Sequence, residues 1–402
     1  MHGLKPTDCG RSSLRELQCW TKRQRLSNKY HETNSYSRSG FGLNYHLVLT
    51  RRCNLNCVYC HGGEETGPQA EVQYSLDDLA AFLEQDDDVQ LMFYGGEPTL
   101  RIPLMTQVMD RFPNARFMMQ TNGLLLNKIP EDYARRIHSV LVSIDGPKEV
   151  TDGYRSKGVY DRVLENVHWL RDIGFDGDIV ARMAVSQESD IYRDVCHLLN
   201  LKEPVFDHVH WQLNAMWDAE GNWTDFDSWV KESYNPGITR LVKEWVAEMK
   251  KGKVAGIVPF LPVMHTILTD EPSLLRCGSG LDTFAIHVNG SIGVCPISPD
   301  WEFSIVGNIR NTNPRNLRNV MTVENPCPTC EEYGVCGGRC LFVNKQRLWG
   351  QEGFDKVCDT VKHMISALRA EALTVRQLMK SGVISIDSFV YPEFNNGCEI
   401  IP

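Results

Sequence analysis

Residues 45–60 read YHLVLTRRCNLNCVYC, an apolar run that leads directly into three cysteines, Cys53, Cys57 and Cys60. The run at 45–50 has the composition of a short buried strand. A closed zinc site takes four ligands, so three thiols alone do not complete one. Three thiolates can bind three irons of a cubane cluster and leave the fourth iron open to another ligand. A zinc site completed by His61 would use the same cysteines and stays an alternative at this point.

Five further runs with strand character follow, at residues 89–94, 116–120, 139–144, 179–185 and 208–213. Periodic segments with helix-start signals separate them, such as the one that Ser75 opens. Strands alternating with helices predict parallel βα units, hence an α/β barrel or part of one. Functional residues of such barrels lie at the carboxyl ends of the strands, which is where the three cysteines fall.

Composition narrows the class of protein. The chain has 402 residues and a net charge of −9, which argues against a nucleic-acid partner, because phosphate backbones attract an excess of Lys and Arg. The most apolar stretch, residues 254–268, contains two prolines and is shorter than the roughly 20 residues that span a membrane. No secretory signal is recognisable, so we expect a cytoplasmic protein. In that reducing compartment the 14 cysteines favour metal ligation over disulfides.

Seven more cysteines cluster in the last third of the chain. They are Cys277, Cys295, Cys327, Cys330, Cys336, Cys340 and Cys358. A zinc ribbon could use Cys327, Cys330, Cys336 and Cys340, but it would leave the other three unexplained. The surrounding sequence is rich in Gly, Pro and Asn and poor in apolar runs, which is typical of a small domain in which metal ligands replace a core.

The barrel motifs resemble those of the radical S-adenosylmethionine (SAM) enzymes. Tyr59 precedes the last cysteine of the first loop, and the motifs YGGEP (94–98), QTNG (120–123) and SIDG (143–146) end the next three strands. In that family the open iron chelates the amino and carboxylate groups of SAM, and reductive cleavage gives a 5′-deoxyadenosyl radical. The resemblance implies SAM contacts from Gly95, Gly96, Glu97, Pro98, Asn122, Ser143, Asp145 and Arg155. Ser143 and Arg155 match positions that hold the SAM ribose and carboxylate in that family.

The seven-cysteine pattern resembles the SPASM domain, an extension of radical SAM enzymes that holds two auxiliary [4Fe–4S] clusters. The resemblance assigns Cys327, Cys330, Cys336 and Cys358 to an outer cluster and Cys277, Cys295 and Cys340 to an inner one. Relatives with a fully ligated inner cluster carry one more cysteine shortly before the position of Cys277, and this chain has none there. The inner cluster therefore has an open iron, a more distant ligand, or a ligand such as Asp270 or Glu271.

The predicted architecture is a partial (β/α)6 TIM-like barrel followed by a small cysteine-rich SPASM domain. We expect a basic extension at 1–43, the barrel with an aromatic-rich insert at 44–268, the SPASM domain with a closing helix at 269–381, and a tail at 382–402. The extension carries eight Lys/Arg against three Asp/Glu and either recognises an acidic leader peptide or caps the barrel. The insert region is rich in tryptophan and either lines a peptide site or packs in the core. These tryptophans are Trp211, Trp217, Trp223, Trp229 and Trp245.

The predicted function is hydrogen abstraction from a peptide or protein, which installs a thioether or a cross-link, with an electron donor such as flavodoxin or ferredoxin. Alternatives are a radical SAM enzyme acting on a small molecule and a peptide epimerase or decarboxylase. Pro296 follows Cys295 where sulfatase maturases place an aspartate base, which disfavours sulfatase maturation, and Asp300 is a nearby candidate base. No catalytic residue is otherwise identifiable. We expect Cys9, Cys19, Cys196 and Cys398 to be unligated.

Iron content tests this assignment. Three cubane clusters require about 12 iron atoms per chain in anaerobically reconstituted protein. Replacing Cys53, Cys57 and Cys60 by Ala is expected to lower the content by about 4 iron atoms and to leave the auxiliary clusters in place. The measurement is metal analysis of both proteins. Near-stoichiometric zinc in place of iron would contradict the assignment.

Overall fold

Six strands alternate with helices through the first half of the chain. The structure is a computed structural model that describes residues 42–60, 67–203, 206–215, 223–391, 397 and 401–402. The six strands are β1 (Asn44–Val48), β2 (Gln90–Tyr94), β3 (Arg116–Thr121), β4 (Ile137–Ser143), β5 (Asp178–Val185) and β6 (His208–Leu213). They pair in parallel, each with its neighbour in sequence. All six predicted strands are present, and the predicted α/β barrel architecture is confirmed.

The cysteine-rich part continues the same sheet. It contributes β7 (Thr283–Ile286), β8 (Ser291–Gly293) and β9 (Ile305–Asn308). Strand β7 adds to β1 in parallel, and β8 and β9 follow in antiparallel pairing, so the order is β6-β5-β4-β3-β2-β1-β7-β8-β9. The sequence did not predict this extension, because the three added strands are only three or four residues long.

Helices connect and cover the strands. Those of the barrel are α1 (Leu76–Leu83), α2 (Ile102–Arg111), α3 (Glu131–Ala134), α4 (Lys148–Arg155), α5 (Val159–Asp172) and α6 (Ile191–Leu199). The later ones are α7 (Phe226–Trp229), α8 (Asn235–Met249), α9 (Phe260–Thr269), α10 (Tyr333–Cys336), α11 (Leu341–Gln346) and α12 (Gly350–Lys380). The closing helix α12 begins at Gly350 rather than near residue 357, so Cys358 lies inside it. No helix in these described ranges is long and apolar enough to cross a membrane.

The two faces of the parallel strands differ in polarity, because successive side chains point to opposite faces. One face is apolar, and its residues share a hydrophobic core with the helices, as do Tyr45, Phe93 and Trp211. The other face carries buried polar side chains in the interior of the barrel. They are His46, Gln90, Ser139, Asp178, Arg182, His210 and Gln212.

The tryptophans of the insert pack in the core. Trp223, Trp229 and Trp245 are all buried, and the rings of Trp223 and Trp229 lie 4.7 Å apart between centroids. Trp229 also stacks on Tyr234 at 5.0 Å. Of the two alternatives for the tryptophans, packing in the core is therefore correct for these three. Trp217 lies outside the described residues. The basic extension up to residue 41 also lies outside them.

Residues near the end of the chain contact the barrel interior. The ring of Tyr391 lies edge-on to His208, the first residue of β6, with 5.0 Å between centroids. Gly397 lies against His46 of β1, since a Cβ on this glycine would be 2.8 Å from His46 Nε2. Ile401 is fully buried. The chain thus fills part of its own interior on the side of the strand starts.

The segment after β1 is bound to the end of β2 by backbone hydrogen bonds. Gly96 N–H donates to the carbonyl of Thr50, and Glu97 N–H donates to the carbonyl of Arg52, both at 2.9 Å. The contact is so close that a Cβ on Gly96 would lie 2.3 Å from the Arg52 carbonyl oxygen. Gly95 has φ of 147° as well, which favours glycine. The glycine pair is required where the cysteine loop crosses β2.

The substitution Gly96→Ala is expected to lower the free energy of unfolding by about 2 kcal/mol or more, because the new methyl group forces two backbone segments apart. Gly153→Ala is the matched control. Gly153 lies in helix α4 with open space around its Cα. Alanine there is therefore expected to raise the free energy of unfolding by about 0.5–1 kcal/mol. Denaturant unfolding measures both. Equal effects of the two changes would contradict the close-contact argument.

Candidate functional site

The three cysteines of the first loop lie on the segment that leaves β1. Cys53 and Cys57 are half-buried and Cys60 is exposed. Cys60 N–H donates to the carbonyl of Cys57, and Val58 N–H donates to the carbonyl of Tyr154, each at 2.9 Å. The loop is therefore folded back on itself and attached to helix α4.

Burial changes the acidity of these thiols. It raises the pKa of Cys57 to about 11, against the opposing positive charge of Arg155. It also raises the pKa of Cys53. In the protein alone the thiols of Cys53 and Cys57 stay protonated at neutral pH. Binding to a metal centre would supply the positive charge that ionises them.

Glu97 joins the ends of β2 and β3. Its carboxylate is fully buried, and Oε1 accepts hydrogen bonds from Thr99 N–H (2.9 Å), Thr99 Oγ1 (2.5 Å) and Thr121 Oγ1 (2.8 Å). Oε2 accepts from Asn122 N–H at 2.7 Å. The pKa of Glu97 is raised, because the effect of burial is larger than the opposing effect of these donors. A carboxylate has about four lone-pair positions, two on each oxygen, so Oε2 keeps room for one more donor.

Asn122 connects β3 to the cysteine loop. Its Nδ2 donates to Asn54 Oδ1 at 2.7 Å and approaches Cys53 Sγ at 3.8 Å. Ser143 ends β4 and is half-buried, in register with Arg182 on β5. The predicted residues of the second, third and fourth strand ends therefore line the same edge of the sheet as the cysteine loop.

A buried ion pair lies where the cysteine loop meets β4 and β5. Asp145 is fully buried and accepts from Arg155 Nε at 2.7 Å and Nη2 at 2.9 Å. It also accepts from Tyr59 Oη and from Ala184 N–H, both at 2.8 Å. Burial alone would lower the pKa of Arg155, but the charge of Asp145 outweighs it and raises that pKa. The guanidinium also lies 5.4 Å from the centroid of the Tyr59 ring.

Four of the later cysteines form one group. Cys327 lies in a short turn, Cys330 follows it, Cys336 ends α10 and Cys358 lies in α12. Burial, together with the nearby thiols of Cys327 and Cys336, raises the pKa of Cys358 to about 12. Burial also raises the pKa of Cys327, and the neighbouring thiol of Cys330 contributes to that rise. These are the four residues that the resemblance assigns to the outer cluster.

The predicted inner-cluster residues have more varied surroundings. Cys277 and Cys340 are buried, and Cys295 is half-buried just after β8. Cys277 Sγ lies 3.3 Å from the hydroxyl of Ser279, which is itself buried. The two carboxylates considered as extra ligands, at positions 270 and 271, are exposed to solvent. The hydroxyl of Ser279, which sequence reasoning missed, is thus a buried oxygen beside Cys277.

The donor set fits iron–sulfur chemistry. Every predicted ligand is a thiol, and soft thiolates select zinc or iron–sulfur centres. In the part of the chain that the structure describes, no three His, Cys, Asp or Glu side chains are arranged to hold a single metal ion. A cubane accepts each thiolate at a different iron, so it matches separated thiols better than one ion does.

Four other predicted or missed residues have clear positions. Asp300 forms an exposed ion pair with Arg51, with 2.8 Å between Oδ2 and Nη2, so it links the cysteine loop to the cysteine-rich part. Arg182 and Gln212 face the barrel interior and were missed by sequence reasoning. The sequence feature that could have identified them is a polar residue within a strand that is otherwise mostly apolar. Cys196 lies on α6 and packs against the core, while Cys9, Cys19 and Cys398 lie outside the described residues.

Comparison with known proteins identifies the family. The family model of the Radical SAM superfamily matches residues 47–199. An uncharacterised protein of Archaeoglobus fulgidus is 30% identical over 326 residues, which are 72% of each chain. The cysteine-type anaerobic sulfatase-maturating enzyme of Clostridium novyi is 23% identical over 72% of this chain and 84% of its own length. The match to Fe-coproporphyrin III synthase of Methanosarcina barkeri, at 30% identity, covers 39% of this chain and only 39% of that protein.

Solved structures share the fold. The structure of anSMEcpe with AdoMet and a peptide bound is 18% identical, with a TM-score of 0.66 over 84% of this chain and 99% of that chain. SuiB of Streptococcus suis bound to its precursor peptide SuiA is 14% identical, with a TM-score of 0.54 over 85% and 81%. The recognition made from the sequence motifs is confirmed. The chain belongs to the radical SAM superfamily of enzymes.

Proposed function

We propose that this enzyme reductively cleaves SAM and abstracts a hydrogen atom from a peptide or protein, which it then modifies. The observation that carries the proposal is the cysteine loop itself, which is hydrogen-bonded to the ends of β2, β3 and β4 through Thr50, Asn54 and Tyr59. When bound, a [4Fe–4S] cluster and SAM would together supply the 5′-deoxyadenosyl radical. The residues of this chain hold and orient them.

The proposed SAM-site residues have distinct tasks. Cys53, Cys57 and Cys60 would ligate the cluster, and Glu97 Oε2 offers an acceptor for the SAM ammonium group. Gly95 and Gly96 let the loop approach β2, with Pro98 next in the same turn. Asn122 orients the loop through Asn54, and Ser143 lies at the strand end where a SAM hydroxyl or carboxylate would come.

Asp145 and Arg155 act as positioning residues in this proposal. The sequence motif suggested that Arg155 binds the SAM carboxylate, but two of its donor groups already bind Asp145. Asp145 also accepts from Tyr59, the residue next to Cys60. The ion pair therefore fixes the cysteine loop relative to β4 and β5, and its proposed role is to hold the cluster ligands in place.

The auxiliary cysteines complete the cofactor proposal. Cys327, Cys330, Cys336 and Cys358 would bind the outer cluster, and Cys277, Cys295 and Cys340 the inner one. With three cysteines the inner cluster keeps one iron for another ligand, either the Ser279 oxygen or a thiolate of the substrate. A substrate thiolate there would favour a thioether product. Electrons would come from a small redox protein such as flavodoxin or ferredoxin.

Relatives support a peptide substrate. Structures of the same fold hold peptides, SuiA in SuiB and a peptide in anSMEcpe. A small-molecule substrate is the second candidate, because shorter matches include Fe-coproporphyrin III synthase and a probable GTP 3′,8-cyclase of Archaeoglobus fulgidus. A sulfatase-maturating enzyme matches over 72% of this chain, whereas these two small-molecule enzymes match over 39% and 33% of it, so the peptide proposal is preferred.

SAM cleavage tests the proposal directly. Anaerobically reconstituted enzyme with dithionite is expected to release 5′-deoxyadenosine from SAM, measured by liquid chromatography. Adding a peptide encoded beside the gene is expected to give a product lighter by two hydrogens, since both a thioether and a cross-link remove two. Cys53→Ala is expected to abolish release, whereas Cys196→Ala, which removes a thiol outside both cysteine groups, retains it.

Two results would count against the proposal. Release of 5′-deoxyadenosine that is equal in the Cys53→Ala and Cys196→Ala proteins would remove the cluster loop from the reaction. Turnover of a GTP or porphyrin substrate, with no mass change in any peptide offered, would move the function to the small-molecule candidate.

The positioning role of Asp145 has its own test. Asp145→Asn is expected to lower the free energy of unfolding by about 3–5 kcal/mol, because Arg155 is then buried without its counter-charge. Tyr59→Phe removes one hydrogen bond and is expected to lower it by about 1 kcal/mol. Adding Arg155→Met to Asp145→Asn is expected to recover part of the loss. Denaturant unfolding measures all three proteins, and equal losses from Asp145→Asn and Tyr59→Phe would contradict the ion-pair argument.

A further inference from the structure

An arginine and a glutamine lie side by side in the barrel interior. Arg182 is on β5 and Gln212 on β6, and their side chains are 9% and 7% exposed. Arg182 is in register with Ser143 on β4 and with His210 on β6, so it lies at the level of the strand-end motifs. Arg182 Nη2 donates to Gln212 Oε1.

Among the residues that the structure describes, the remaining donors of this pair have no acceptor. Arg182 Nε and Nη1 and Gln212 Nε2 are buried without a hydrogen-bond partner. The buried carboxylates on neighbouring strands already have theirs, since Asp145 binds Arg155 and Asp178 binds His208 Nδ1 at 2.7 Å. Within the residues that the structure describes, no carboxylate forms an ion pair with Arg182.

An arrangement of this kind is unfavourable unless something compensates it. A buried charge without a counter-charge destabilises a fold, and each buried donor without an acceptor adds to that loss. Arg182 interrupts the strand IVARMAV, where an apolar residue would pack without this penalty. The residue therefore serves a purpose other than stability.

We propose that Arg182 and Gln212 bind a carboxylate of the molecule that the enzyme modifies. Gln212 Nε2 can donate to one oxygen of a carboxylate while an open nitrogen of Arg182 donates to the other, and the guanidinium supplies the counter-charge. The substrate class that this selects is a peptide that brings an Asp or Glu side chain, or a terminal carboxylate, into the barrel interior. This assignment rests on the proposed function above.

SAM also carries a carboxylate, so the source has to be distinguished. Arg182 comes two residues before Ala184, on the same face of β5, and Ala184 N–H is the group that binds Asp145. Arg182 therefore lies one step further into the barrel than the ion pair that holds the cysteine loop. Arg182 also lies level with Ser143 of the proposed SAM site, so the response to saturating SAM decides between the two carboxylates.

The test uses acetate as the probe and acetamide as its uncharged counterpart, on the full-length reconstituted protein at constant ionic strength. Acetate at 100 mM is expected to raise the melting temperature by about 2 °C or more relative to chloride, and acetamide is expected not to. The shift is expected to vanish in Arg182→Met and to shrink in Arg182→Lys, which keeps the charge but replaces the planar guanidinium by a single ammonium group.

Arg171→Met is the matched control. Arg171 is paired with Asp207 and with the carbonyl of Gly177. Its replacement is expected to lower the melting temperature and to keep the acetate shift. Arg182→Met is expected not to lower the melting temperature without acetate, because it removes a charge that has no partner.

Saturating SAM separates the two carboxylate sources. An acetate shift that persists with SAM bound, with a SAM dissociation constant changed less than about threefold in Arg182→Met, supports the substrate assignment. A shift that SAM abolishes, or a SAM dissociation constant raised about tenfold or more, assigns the pair to the cofactor and overturns the proposal. Equal acetate shifts in wild type and Arg182→Met, or none in either, overturn it as well. None of these readouts needs SAM cleavage, so failure of the proposed function shows separately as absent 5′-deoxyadenosine.

Discussion

The buried pair of Asp145 and Arg155 is the interaction on which the site depends. Asp145 has no exposed surface and accepts hydrogen bonds from three parts of the chain: helix α4, strand β5 and the cysteine loop. A charge in such a place is tolerated only when every lone pair is used. The position of the loop that would carry the cluster is thereby determined by the strands of the barrel and not by the loop alone.

Much of the barrel could be predicted from the sequence, because its strands are buried on both faces or nearly so and read as separate apolar runs. The ends of β1 to β4 coincide with the motifs that resemble radical SAM enzymes, and the structure brings those motifs to one edge of the sheet. The four cysteines assigned to the outer cluster also come together, although they are spread over 32 positions from Cys327 to Cys358 and three separate elements. Spacing carries this information because Cys327, Cys330 and Cys336 come from one short segment of turn and helix, to which α12 adds Cys358.

Other features could not be predicted, because they depend on contacts between residues that are not apparent from the sequence. Arg155 was assigned to a SAM carboxylate from its motif, yet its nearest acceptor is Asp145, ten residues earlier and across a helix. The need for glycine at position 96 is likewise visible only in the structure, because the cysteine loop passes so close to Gly96 that a side chain would not fit there. Strands β7 to β9 were not predicted because strands of three or four residues show too little periodicity, and they form only by pairing with β1. Arg182 and Gln212 were missed because a single polar residue in an apolar run has no pattern.

The contacts of Tyr391 and Gly397 with the barrel interior have a consequence for assembly during synthesis. These residues follow the last strand, which ends at Asn308, by more than eighty positions, and they fill space beside His208 and His46. A growing chain folds its earlier parts first. The whole sheet and all ten predicted cluster cysteines therefore emerge from the ribosome while the inner cavity is still open to water. This side of the barrel interior is thus completed by a segment that is synthesised after every predicted cluster ligand.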